Sequence, residues 1–421
     1  MYTTNKVLNF IKYNRVLTEN ILALFTIRGA EYLLALITLP YLVRVLGPDR
    51  FGLISYAQVF CQYFIIVVNY GFDLSGSRSI STSINNQEMG RTFSSIIFLK
   101  FVFIVSISLV YFLLIFNCHY FFVEKQLYAI SFLYVIGMAL FPVWFFQGIE
   151  QMRYITYINI VARLISLLMI FIYVKNPDGY LIAAYAQMGT PLIATLFSLC
   201  LLIAKFRYIF MIPRIADLKK AMVDGWYLFI GNAFISFYTS SNVLILGFLT
   251  NNTVVGYYSA SDKIVKSILG LLSPISTALY PHINKLIVKS QSDAKRFLMK
   301  CAKALGTAFG IFSLILFAYT NQIVKIALGT QYSESIEILR ILAFLPFIIT
   351  LSNIMGILTM IPLGMEKQFS HILLSAGVIN MILIFPLTVL YSGKGTAISS
   401  LFIETFVTLS MYYALRKKKF L

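Results

Sequence analysis

The chain has 421 residues, of which 59% are hydrophobic and 12% charged, and its mean hydropathy is +0.83. An ordinary soluble domain has about 25% charged residues, and a globule of this length cannot bury so much apolar surface in one core. The composition therefore excludes a soluble globular protein and indicates an integral membrane protein.

The net charge of +18 would suggest nucleic-acid binding in a soluble protein. In a membrane protein it is explained by basic residues that collect in cytoplasmic loops, so we predict no nucleic-acid partner. The 4 cysteines and 3 histidines lie far apart, without metal-ligand spacing. The sequence therefore predicts no metal site and no cofactor, and the polar, basic start predicts no cleavable signal peptide.

Apolar runs long enough to cross a bilayer, about 20 residues each, recur along the whole chain. We predict an all-α polytopic protein with about twelve transmembrane helices, near 20–46, 51–75, 93–116, 126–147, 155–174, 180–204, 226–249, 254–280, 301–322, 335–360, 369–391 and 395–415.

The loops between these spans differ strongly in basic residues. The segments on the side of the N-terminus carry 22 Lys and Arg, and those on the other side carry six. Because Lys and Arg are retained in the cytoplasm, we predict a plasma-membrane protein with both termini cytoplasmic.

Two short motifs occur once in each half of the chain. LGPDRFGLISYAQ (46–58) is matched by LGFLTNNTVVGYYSASD (246–262), and FFQGIEQ (145–151) by IPLGMEK (361–367). Because each half then enters from the same side, they predict two six-helix lobes related by a pseudo-two-fold axis along the membrane normal, with a central cavity between them. The predicted lobes are 1–204 and 226–421.

The basic segment 205–225, KFRYIFMIPRIADLKKAMVDG, would join the two lobes on the cytoplasmic side. Its apolar residues recur among lysines, as in an amphipathic helix on the membrane surface. An ordinary basic linker explains the composition equally well, so both interpretations stay open.

Charged residues inside the spans are the main functional signal, because such groups usually face the bundle interior or a wet cavity. Arg28 and Glu31 lie one turn apart in the first span. In the eighth, Lys263 and Lys266 share a helix face at i,i+3, and Asp262 lies at i,i+4 from Lys266. We predict that Arg28, Lys263 and Lys266 line a cationic cavity, with the two acids orienting them. Arg28 could instead reach the headgroups or be neutralised by Glu31.

Other polar residues in the spans are weaker candidates for a functional site. Arg163 is a further candidate cavity cation, although structural pairing is as plausible for it and for Lys100. Asn380 and Glu404 fit plain interhelical hydrogen bonds better than ion sites.

A cationic cavity suits an anion that cannot cross the bilayer alone, such as a phosphate or diphosphate. One alternative is a cation-coupled multidrug exporter, which would need acids in the cavity, but the surplus within the spans is basic. Another is a membrane glycosyltransferase or O-antigen polymerase. The short outer loops offer no carboxylate pair for acid–base chemistry, so we predict no enzyme.

Three stretches resemble the polysaccharide transporter branch of the MOP exporters, whose best-known members are the Wzx O-antigen flippases: LPYLVRVLGPDRFGLISYAQ, NYGFDLSGSR and FPVWFFQGIEQMRYIT. The resemblance implies a flippase that moves an undecaprenyl-diphosphate-linked oligosaccharide to the outer leaflet. It also implies contact with membrane lipids and other polysaccharide assembly proteins, and it leaves H⁺ or Na⁺ coupling open. Four charged residues in or near the motifs are candidates for a cytoplasmic gate: Asp73, Arg78, Glu150 and Glu366. Gln151 departs from the Lys expected there.

Overall fold

The computed structural model describes the backbone of residues 15–418 and 420, and their side chains except those of 15–33, 35–36, 208, 232, 234–240 and 278. Within these residues the regular structure is helical, without a strand. Eight of the described helices are long and apolar enough to span a membrane, and up to nine if one bent pair counts as a span. The predicted class, an all-α polytopic membrane protein, is confirmed.

The helices of the first half follow the predicted spans. They are α1 (Arg15–Asn69), α2 (Phe72–Ser81), α3 (Asn86–Asn117), α4 (His119–Phe122), α5 (Lys125–Leu140), α6 (Val143–Gly148), α7 (Met152–Tyr173) and α8 (Tyr180–Lys205). The first predicted span and most of the second lie in α1, which breaks at Gly47 with a φ of 69° and a ψ of 174°. Glycine suits this backbone because it has no Cβ to clash.

The second half begins with the long helix α9. Its helices are α9 (Ile215–Leu249), α10 (Asn252–Leu269), α11 (Leu272–Lys289), α12 (Gln291–Ala318), α13 (Thr320–Ile323), α14 (Ser335–Leu342), α15 (Leu345–Met355) and α16 (Glu366–Lys417). The last two predicted spans share α16, which breaks at Ser392 with a φ of 50°. Because α1 and α16 each contain all or most of two predicted spans, the number of separate membrane-spanning helices is smaller than the number of predicted spans.

Contacts between residues divide the chain into two compact units. One is Tyr41–Gly256, and the other is Tyr257–Leu421 together with the described residues before Tyr41. This grouping is not the same as the predicted lobes 1–204 and 226–421, whose boundaries stay a prediction. In the predicted connector 205–225, the segment from Ile215 onward is the start of α9 and continues into the seventh span.

The two units repeat the same kinds of helix-to-helix hydrogen bonds at a nearly constant offset. The Thr195 hydroxyl donates to the Gly137 carbonyl at 2.9 Å, and 213 residues later the Thr408 hydroxyl donates to the Ile348 carbonyl at 3.3 Å. In each half, the bond joins the sixth predicted span to the fourth. The repeat predicted from short motifs is thus matched by contacts inside each unit.

A second repeated contact joins the fifth and sixth predicted spans of each half, with donor and acceptor exchanged between the two halves. In one unit the Ser166 hydroxyl donates to the Ala186 carbonyl at 2.8 Å. In the other, Asn380, 214 residues after Ser166, accepts from the hydroxyl of Ser399 at 3.0 Å. Asn380 therefore makes the interhelical hydrogen bond that the sequence favoured for it.

Candidate functional site

Asp262, Lys263 and Lys266 lie on α10, at the start of the unit Tyr257–Leu421. The Lys266 Nζ atom is 2.6 Å from an Asp262 carboxylate oxygen, the i,i+4 pair expected from the sequence. The Lys266 side chain is 66% exposed and that of Asp262 16%, whereas Lys263 is half-buried. The Asp262 carboxylate therefore interacts electrostatically with both lysines of α10.

Hydroxyl groups fix the part of α10 that carries these lysines. The Tyr257 carbonyl accepts hydrogen bonds from Ser261 at 2.9 Å and from Ser335, at the start of α14, at 3.0 Å. The Tyr258 hydroxyl lies 3.1 Å from that of Ser400 on α16. These bonds hold the lysine-bearing helix to two neighbours in its own unit, so that the cations project from a fixed helix.

Arg28 and Glu31 lie on the helical backbone of α1, at the i,i+3 spacing that places them on one face. Their side chains lie outside the described residues. Contact density groups this part of α1 with the unit that carries Lys263 and Lys266. That Arg28 joins the two lysines in one cavity stays a prediction.

Arg163 belongs to the other unit, Tyr41–Gly256, where it is half-buried on α7. It lies close enough to Tyr134 of α5 to interact with it electrostatically. Structural pairing was the alternative weighed for this residue, and its role in a cavity stays a prediction.

Lys100 of α3 is completely buried and bonded at its ammonium group. Its Nζ donates to the Asn69 side-chain oxygen and to an Asp73 carboxylate oxygen, both at 3.1 Å. Because Asn69 ends α1 and Asp73 lies in the first turn of α2, the lysine ties the chain together across the break at Tyr70 and Gly71. The gate candidate Asp73 is therefore the counter-ion of a buried lysine.

The remaining gate candidates Arg78, Glu150 and Glu366 are all exposed at helix ends. Arg78 lies in the last turn of α2 and Glu366 in the first turn of α16. Glu150 lies between α6 and α7 with a φ of 57°, and the matching turn before Glu366 has Gly364 at 70°. The two Gly-x-Glu motifs thus end the fourth helical span of each half in turns with left-handed residues, and gating by these residues stays a prediction.

An acidic residue that makes equivalent contacts in each half of the chain was not predicted from the sequence. Glu124, just before α5, is 3.1 Å from the Arg50 guanidinium and accepts a 2.8 Å hydrogen bond from Tyr180 at the start of α8. Glu337, in the first turn of α14, pairs with Lys394 just beyond the break of α16. The acids are 213 residues apart and their partners Tyr180 and Lys394 are 214 apart, a signal that aligning the two halves would have found.

Comparison with known proteins gives matches along nearly the whole chain. The family model described as "Polysaccharide biosynthesis protein" matches residues 17–287. A protein of Escherichia coli (strain K12) named "Putative O-antigen transporter" is 34% identical over 412 residues, which cover 96% of this chain and 98% of that protein.

Solved structures share the fold at low sequence identity. An inward-facing multidrug resistance MATE family transporter of the MOP superfamily matches with a TM-score of 0.75 and 13% identity, over 91% of this chain and 94% of that one. The lipid II flippase MurJ, in an inward closed conformation, matches with a TM-score of 0.74 and 14% identity, over 95% and 89%. At such identities the likeness shows the fold alone.

The family model covers more than half of the chain, and the E. coli relative matches it nearly end to end. The chain belongs to the polysaccharide biosynthesis protein family.

Proposed function

We propose that this multi-pass membrane protein is a flippase that moves an undecaprenyl-diphosphate-linked oligosaccharide from the cytoplasmic to the outer leaflet of the plasma membrane. The observation that carries the proposal is the 34% identity to a named O-antigen transporter over 98% of that protein's length. The role is transport by alternating access rather than enzymatic chemistry, and both termini are cytoplasmic.

The proposed anchor for the lipid diphosphate is the pair Lys263 and Lys266, with Arg28 and Arg163 as further cations. Lys266 is exposed, and an exposed lysine–carboxylate pair contributes only about 0–1 kcal/mol. Its bond to Asp262 can therefore be exchanged for a bond to a phosphate oxygen at small cost. Asp262 would hold the ammonium in place while the site is empty and take it back once the lipid has left.

The membrane potential supplies a driving force for this direction. Moving two negative charges from the inside-negative to the outer face is worth about 4.6 kcal/mol per 100 mV. A cationic site in the path would lower the barrier to those charges without cancelling the driving force, because the same site releases the lipid on the outer side.

The test is rescue of surface polysaccharide in a bacterial strain that lacks its own O-antigen flippase. The native chain should restore polymer on the cell surface, read by gel and by immunoblotting. Lys263→Ala with Lys266→Ala should abolish the polymer at normal protein abundance.

A matched control removes the same charge from the next helix: Lys285→Ala with Lys289→Ala, two exposed lysines of α11. This control should keep full activity. Failure of the native chain to restore any polymer would overturn the proposed function. Equal activity of both double variants would remove Lys263 and Lys266 from the mechanism.

A further inference from the structure

A polar cavity of about 340 Å³ lies inside the unit Tyr41–Gly256, and its lining includes none of the lysines of α10. Three helices each contribute one polar face to it. From α2 and the C-cap residue after it come Ser75, Ser79 and Thr82, from α3 Arg91 and Ser95, and from α9 Asp217, Lys220 and Asp224. The cavity therefore differs from the apolar grooves of an ordinary membrane bundle.

The hydroxyl row on α2 follows from how that helix packs. The neighbouring face of the helix holds Phe72, Gly76 and Ile80, all buried. A Cβ at Gly76 would approach the Trp144 ring and the Ile96 side chain within 2.8 Å. Because α2 is seated so closely on this apolar core, its Ser and Thr residues at the helical spacing i, i+4 and i+7 are turned toward the cavity.

Two groups on the cavity wall lack a hydrogen-bond partner among the described residues. The Ser95 hydroxyl oxygen is buried and unpaired, and Ser95 is only 1% exposed. One carboxylate oxygen of Asp217 is likewise buried and unpaired. Buried polar groups are normally satisfied, so both point to an occupant that can donate hydrogen bonds.

The volume of the cavity and the charges on its wall restrict the class of ligand that it can bind. A bare cation needs oxygen ligands within about 2.0–2.6 Å, whereas a cavity of 340 Å³ falls in the range of small-molecule sites, about 300–1,000 Å³. Three acids, Glu88, Asp217 and Asp224, outnumber the two cations Arg91 and Lys220. That balance disfavours a free phosphate, and the hydroxyl-rich wall disfavours a lipid tail.

We propose that this cavity binds one sugar ring of the oligosaccharide, with Asp217 and Ser95 accepting and exchanging hydrogen bonds with its hydroxyl groups. A sugar ring presents several donors and acceptors without net charge, which matches a wall that contains carboxylates, cations and hydroxyls together. The inference rests on the proposed transport function. The segments that form the cavity end the second span and begin the third and seventh, all on the side predicted to be cytoplasmic, where the oligosaccharide is presented.

The test uses the full chain in lipid nanodiscs and saturation-transfer-difference NMR, a method suited to weak ligands. The probes are D-galactose, N-acetyl-D-glucosamine and L-rhamnose, with sodium chloride and inorganic phosphate as competitors. At least one sugar should bind, and Asp217→Asn or Ser95→Ala should weaken binding about tenfold, the usual effect of one lost bond to a charged or buried group.

The matched control is Asp293→Asn. Like Asp217, Asp293 lies in the first turn of a helix that follows a basic segment, but it is exposed and belongs to the other unit. It should leave sugar binding unchanged. Should Ser95→Ala or Asp217→Asn lower the amount of folded protein, Thr82→Val, exposed at the cavity rim, provides a further test of the same wall.

Absence of binding by all three sugars, or binding that none of the cavity variants weakens, would overturn the inference. Displacement of the sugar signal by sodium or phosphate at low concentration would also overturn it and assign the cavity to an ion. Rescue of polymer without sugar binding removes the cavity proposal alone. Sugar binding without rescue instead removes the proposed transport function.

Discussion

Two lysine–aspartate pairs, one in each unit, contain the same groups in almost opposite surroundings. Lys100 is 0% exposed and its partner Asp73 is 49% exposed, whereas Lys266 is 66% exposed and Asp262 16%. The first pair neutralises a charge that has no access to solvent. The second leaves its cation accessible to a ligand. Burial of the ammonium, rather than presence of the pair, separates the structural role of Lys100 from the binding role proposed for Lys266.

The largest effect is expected from removing the partner of the buried lysine. Asp73→Ala leaves the Lys100 ammonium with Asn69 as its described acceptor, and an uncompensated buried charge destabilises a protein by about 3–5 kcal/mol. Thermal unfolding in detergent and protein abundance in membranes should both fall sharply. Unchanged stability would show that Lys100 does not depend on this carboxylate.

The exposed lysine should show the reverse pattern, with lost transport and intact folding. Lys266→Ala should change stability by less than about 1 kcal/mol and lower polysaccharide export about tenfold, the effect of one charge-assisted contact. Lys266→Arg should keep most activity because it retains the charge. Equal loss in both variants would contradict an electrostatic role.

Removing the buried lysine itself should cost less than removing its partner. Lys100→Met fills a similar volume without charge and leaves Asp73 half-exposed, so the expected loss of stability is about 1 kcal/mol. Lys100→Met combined with Asp73→Asn should be more stable than Asp73→Asn alone. If the double variant regains stability but not transport, Asp73 acts in gating as well as in charge compensation.

The smallest effect is expected at Asp262. An i,i+4 ion pair on a helix contributes about 0.3–0.5 kcal/mol, so Asp262→Asn should scarcely change the unfolding temperature. Freed from its carboxylate, Lys266 should bind an anion at least as tightly. Slower release of substrate, measured as slower flipping at equal or tighter binding in proteoliposomes, is the expected result.

The sequence predicted the helices well because hydrophobic length and charge determine which segments span a membrane. The pair Asp262–Lys266 was also predictable, since i,i+4 neighbours on one helix meet whatever the tertiary fold. The pair Lys100–Asp73 was not, because it depends on the helix break at Tyr70 and Gly71. The conformation of such a break is set by packing rather than by local composition.

The candidate site was predictable only in part. The positions of the two lysines follow from helix periodicity. The polar cavity, in contrast, forms only where α2, α3 and α9 pack together. No local sequence pattern predicts which helices pack against one another. The stretch SGSRSISTS (75–83) was a readable signal, because so many hydroxyl residues are uncommon in a span end. Its role could not be predicted from the sequence, because it depends on the close packing of Gly76 against the Trp144 ring.

The break at Ser392 has a practical consequence for handling the protein. Beyond it the chain folds back so closely that a side chain at Gly395 would collide with the Leu387 carbonyl, and the Thr388 and Thr396 hydroxyls are 2.9 Å apart. An epitope tag inserted there would disrupt the packing between the two segments of α16 on either side of Ser392. The exposed turn at Asn176–Asp178 is the better position for an antibody handle.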